Sequence, residues 1–101
     1  MTVETSLTED GCVLIITVKG KFDFKLLSQF RKAYSDNTLE SEKIIIDLRD
    51  TISIDSSALG MLLNMQRYLG KADGEISIMN CNKDVIKIFQ ITHFDKKFRI
   101  E

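Results

Sequence analysis

Ile44-Ile-Ile-Asp-Leu-Arg-Asp-Thr-Ile-Ser-Ile-Asp-Ser-Ser-Ala-Leu-Gly-Met-Leu-Leu63 is the stretch on which the fold turns. Residues 44–48 are dominated by isoleucine and bounded by polar neighbours, which predicts a central strand buried on both faces. Residues 49–55 read as a loop. From Ser56 or Ser57 to Leu69 apolar residues recur at helical spacing, and Gly70 supplies a C-terminal stop. A strand that runs through a loop into a helix is the building step of sheets covered by helices.

Outward from this segment the same alternation continues. Val3, Thr5 and Leu7 alternate with polar residues, and Asp10-Gly11 turns the chain into Cys12-Val-Leu-Ile-Ile-Thr-Val18, an opening β-hairpin whose second strand ends at Gly20. Leu26, Leu27, Phe30, Ala33 and Tyr34 predict a first helix over residues 25–35, closed by Asp36-Asn37. Glu75-Ile-Ser-Ile-Met79 alternates as a further strand. Asn82 is placed to cap a third helix whose buried stripe is Val85, Ile88 and Phe89, and Phe98-Arg-Ile100 is a short last strand. The fold class is therefore α/β (α+β): a mixed β-sheet with helices packed on one face, in a single domain over residues 1–101.

Composition narrows the function. Fourteen basic residues against fifteen acidic ones leave a net charge of -1, with no Lys/Arg cluster to grip a phosphate backbone, so nucleic acid is not an expected partner. No apolar run approaches the roughly 20 residues that span a bilayer, and the N-terminal residues lack the order of a secretory signal, so a cytoplasmic protein without a membrane segment is expected. Cys12 and Cys81 have no C-x-x-C spacing and are read as buried free thiols, not as a disulfide or metal site. With one histidine, His93, no G-x-S-x-G elbow and no G-x-x-x-x-G-K-[ST] loop, neither catalytic residues nor a cofactor or nucleotide site is expected. His93 is read as a structural or surface residue.

The chemistry concentrates at Asp55-Ser56-Ser57. Local chemistry by itself favours a helix N-cap there. The same position also accepts a phosphate well, because free N–H groups and the positive end of the helix dipole converge on it. A phosphoserine adds about -1.5 to -2 charges to a surface that is otherwise neutral and apolar, which is how a phosphate breaks an interface. The helix that follows carries an apolar arc from Tyr68 and Met61 through Ala58, Leu69, Leu62 and Leu59 to Leu63, wider than the roughly 100° a one-sided helix needs. Leu59, Leu62 and Leu69 are expected in the core. Met61 and Met65 then remain as candidate contacts, methionine being suited to an adaptable surface, although core filler is the commoner use of such residues.

Ile45-Ile-Asp-Leu48, the loop ending in Ile54-Asp55, and Ser56-Ser-Ala-Leu-Gly60 resemble the signature of bacterial anti-sigma factor antagonists of the STAS family. The resemblance extends through the hairpin, Gly20-Lys-Phe-Asp-Phe24, and the strand and helix between Ile76 and Ile91. It implies a STAS-like sheet and a phospho-switch: the second serine, Ser57, takes the phosphate, with Ser56 as the secondary candidate. It also implies a partner kinase, in the family often also an anti-sigma factor, and a metal-dependent serine phosphatase that restores the free form. Asp55, Ser56, Ala58, Met61 and Met65 are the expected partner-binding residues, and the free protein is expected to be a monomer. Two departures stand out: Ala58 replaces the glycine usual in the family, and the sequence ends at Glu101 where members often add a helix. A different class of function shares this architecture, a constitutive STAS subunit of a transporter complex that is never phosphorylated; adjacent serines after Asp55 favour the switch.

Overall fold

A computed structural model describes residues 2–37 and 43–101. The chain opens with an antiparallel hairpin, β1 (Thr2–Leu7) and β2 (Val13–Phe22), whose turn is closed by Gly11 N–H donating to Thr8 C=O at 2.8 Å. A 3-10 turn, Phe24–Leu26, leads into α1 (Leu27–Asn37). Then come β3 (Lys43–Asp47), β4 (Thr51–Ile54), α2 (Ser56–Leu69), β5 (Ile76–Met79), α3 (Lys83–Ile91), a second 3-10 turn, Phe94–Lys96, and β6 (Arg99–Ile100). The six-stranded sheet runs β1-β2-β3-β5-β6, with β4 pairing the far end of β2; every pairing except β1 with β2 is parallel.

The mixed sheet, the hairpin and the three helices are those expected from periodicity. Registers such as Leu14↔Ile44↔Ile76 and Ile16↔Ile46↔Ile78 put these side chains on one face of the sheet, where all six are buried. Phe30 and Tyr34 of α1, Leu62 and Met65 of α2, and Val85 and Phe89 of α3 join them in one hydrophobic cluster. Helix ends follow local chemistry. Gly70 at φ 64 caps α2 in the left-handed region, and Asn82 accepts from Val85 N–H at 2.9 Å to open α3.

Four expectations need correction. β2 does not end at Gly20 but continues to Phe22, and the segment read as a loop contains β4. These are one error: Gly20–Phe22 and Thr51–Ile54 are strands because they pair with each other. β3 is fully buried on one face only; Ile45 and Asp47 on the other are half-buried, since three consecutive isoleucines carry no sign of which face the helices leave open. The two cysteines are half-buried where full burial was expected, and burial pushes the Cys81 thiol up to about 11.

Candidate functional site

Two parallel strands reach the site in step. Phe22 of β2 and Ile54 of β4 are paired and both buried, and the next residue of each chain segment is an aspartate, Asp23 and Asp55. Asp23 Oδ1 accepts from Lys25 N–H at 3.0 Å and caps the first 3-10 turn; Asp55 Oδ1 accepts from Ala58 N–H at 3.0 Å and caps α2. The third helix start is tied to the same place. The Asn82 amide donates to the carbonyls of Thr51 and Ile52, both at 3.3 Å, while its oxygen caps α3. The first 3-10 turn, α2 and α3 thus begin at the carboxyl ends of the parallel strands, where α/β sheets commonly place their binding sites.

Asp55 is the pivot. Its backbone is extended, φ -125 and ψ -176, so α2 starts cleanly at Ser56, and Leu59 N–H makes the first intrahelical bond to Asp55 C=O at 3.3 Å. Ser57 Oγ donates to Asp55 Oδ1 at 2.6 Å, so a single carboxylate oxygen holds both the helix start and the serine hydroxyl. These bonds, that from Ser57 first and that from Ala58 second, hold the Asp55 carboxyl below its ordinary range. Ser57 is half-exposed with a fixed hydroxyl. Ser56 is exposed and makes no hydrogen bond to another described residue through its hydroxyl.

The other expected contact residues lie elsewhere. Ala58 and Met65 are 0% exposed and Met61 4%, which puts them inside the core and off any partner surface. The apolar arc of α2 was too wide for periodicity to say which end faces the sheet. Leu59 and Leu69, expected in the core, are only partly buried, and the exposed large apolar residue of this helix is Tyr68, whose ring sits 5.3 Å from Tyr34.

What periodicity missed is a pair of exposed apolar side chains beside the caps, Phe24 at 68% and Ile52 at 67%. Ile52 is the more instructive. Strict alternation places Ile52 and Ile54 on the same face, yet Gly20 pairs with Thr51 and Lys21 with Ser53, which leaves Ile52 as the extra residue of a β-bulge. Thr51 and Ile54 therefore both face the core and Ile52 turns to solvent. Thr51 Oγ1, buried and donating to Val18 C=O at 2.7 Å, anchors the strand on the far side of the bulge. A polar Asp-Ser-Ser cap flanked by two exposed apolar side chains is suited to docking a protein and to being disrupted by charge. Among the described residues no group of His, Cys, Asp or Glu gathers as a metal site, and no helix is long and apolar enough to cross a membrane.

Comparison with known proteins agrees with this fold. A family sequence profile described as STAS domain matches residues 4–101. A STAS-domain containing protein of Pseudomonas aeruginosa, strain UCBPP-PA14, is 37% identical over 100 residues that cover 99% of each chain. A candidate anti-sigma factor antagonist of Thermotoga maritima is 26% identical over 90 residues, 87% of this chain and 80% of that one. The solved structure of the anti-sigma factor antagonist SpoIIAA in its unphosphorylated form superposes with a TM-score of 0.80 at 20% identity, covering 99% of this chain and 88% of the other, a likeness of fold.

Proposed function

The chain belongs to the STAS domain family, and from that membership we propose that it is a non-enzymatic, cytoplasmic anti-sigma factor antagonist-type switch whose free form docks a regulatory protein and whose phosphorylated form releases it. The observation that carries this reading is the bond from Ser57 Oγ to the capping oxygen of Asp55, at an accessible helix start between Phe24 and Ile52. Phosphorylation of Ser57 replaces that donated proton with a dianion next to a carboxylate. The helix start tolerates the charge through its N–H groups and dipole, whereas an apolar partner covering Phe24 and Ile52 does not. The partners are then a serine kinase that is itself an anti-sigma factor, and a serine phosphatase. Phe24 and Ile52 replace Met61 and Met65 as the apolar contacts.

Intact-mass analysis after incubation with the partner kinase and ATP, together with partner titrations, tests this. Ser57→Ala should remain unmodified and bind constitutively, and Ser57→Asp should bind at least about tenfold more weakly while its stability changes by only about 0.3 to 1 kcal/mol. Phe24→Ala or Ile52→Ala should weaken binding with little effect on the melt. Modification lost in Ser56→Ala and kept in Ser57→Ala moves the site by one residue. If wild type, Ser57→Ala, Ser57→Asp and the phosphorylated protein all bind alike, the switch is refuted and the constitutive interaction subunit takes its place.

A further inference from the structure

β1 forms one edge of the sheet, with its inner flank paired to β2 from Thr2↔Lys19 to Leu7↔Leu14. Two hydrogen bonds fix which backbone groups are used. Thr8 N–H donates inward to Val13 C=O at 3.1 Å, whereas Val3 N–H turns outward to Gln29 Oε1 at 3.1 Å. Alternate residues of an antiparallel strand point their groups to opposite flanks. Glu4 and Ser6 therefore bond β2, and Val3, Thr5 and Leu7 present theirs to the outside. Among the described residues nothing bonds the outward groups of Thr5 and Leu7. The strand has no proline and no bulge, and its one charge, Glu4, is paired with Lys19 of the same sheet at 3.3 Å. Among the described residues, the Gln29 bond aside, the usual devices that blunt a free edge are missing.

We infer that this edge pairs with the same edge of a second copy of the chain, the two β1 strands antiparallel with Thr5 opposite Thr5. The strand is self-complementary in that register. Val3 of each copy meets Leu7 of the other, its N–H exchanging Gln29 Oε1 for the Leu7 C=O, and the contact covers the Leu7 side chain that is 48% exposed in the single chain. Glu4 meets Ser6. The alternative centred on Glu4 sets two carboxylates face to face, and the one centred on Ser6 carries Val3 past the end of the opposing strand; like charges directly opposite are unfavourable, and lost pairs are lost hydrogen bonds. β2 uses its other flank for β3 and β4, so the pairing leaves Asp55 and Ser57 uncovered and is independent of the switch reading.

Sedimentation velocity of the full chain, from about 10 μM to about 1 mM, should show a concentration-dependent monomer–dimer equilibrium, weak because a single strand pair makes a small interface. Thr5→Pro removes only an outward N–H, a substitution that edge strands accept, and should leave a folded monomer. Ser6→Lys, opposite Glu4 of the second copy twice by symmetry, should tighten the dimer about two- to thirtyfold, and Ser6→Glu should weaken it by a similar factor. The Ser6 pair keeps the backbone intact and so decides the matter even if Thr5→Pro fails to fold. A wild-type chain that stays monomeric throughout, or a dimer indifferent to the Ser6 charges, overturns the inference.

Discussion

Replacing Asp55 should separate its work as a hydrogen-bond acceptor from its work as a charge. Its Oδ1 takes the Ala58 N–H at 3.0 Å and the Ser57 hydroxyl at 2.6 Å. Loss of an N-cap costs about 1 kcal/mol, and a carboxylate at a helix start contributes about 0.3 to 1 kcal/mol more at low ionic strength. Asp55→Ala loses both, roughly 1 to 2 kcal/mol. Asp55→Asn keeps an equivalent acceptor and loses only the charge. For a chain of 101 residues each kcal/mol moves Tm by roughly 5 °C. Asp55→Ala should therefore melt about 5 to 10 °C below wild type and Asp55→Asn about 1 to 5 °C below, by circular dichroism at neutral pH. The pH dependence has a definite sign. The folded-state carboxyl lies below its ordinary 3.8, so its contribution is complete above that pH and is lost as pH falls through the lower folded value. The gap between wild type and Asp55→Asn should therefore narrow as pH drops below 3.8 and close once it has passed through that lower folded value. A gap that persists in acid, or an Asp55→Asn variant as damaged as Asp55→Ala, refutes the division between acceptor and charge.

Met65→Ala, at a position with 0% exposure, should cost about 2 to 5 kcal/mol in urea unfolding, whereas Tyr68→Ala, 63% exposed, should cost less than about 2; equal costs would mean that α2 turns a different face to the sheet. Asn82→Ala removes the α3 cap and both ties to β4, and its loss of about 1 to 3 kcal/mol should come with faster amide exchange in β4 as well as in α3. Cys81, raised from 9.0 to about 11, should react with iodoacetamide at pH 8 roughly a hundredfold more slowly than an ordinary thiol, and at the ordinary rate once unfolded.

Much of the molecule follows from interactions that span four residues or fewer. Asp55, Gly70 and Asn82 each satisfy groups one turn away, so the start and stop of α2 and the start of α3 are legible in the order of residues alone. The alternating strands and the Asp-Ser-Ser motif with its family resemblance are local in the same sense. The rest depends on partners far along the chain. β4 exists because Gly20–Phe22 lies alongside it, and it is held by a bond from Thr51 to Val18, 33 residues away. The exposure of Ile52 follows from a bulge in that pairing, and the burial of Met61 and Met65 from which side of a nearly all-apolar helix meets the sheet. Periodicity shows that a face is apolar, but only packing selects, among several apolar residues, those that fill the core and those left to meet a partner.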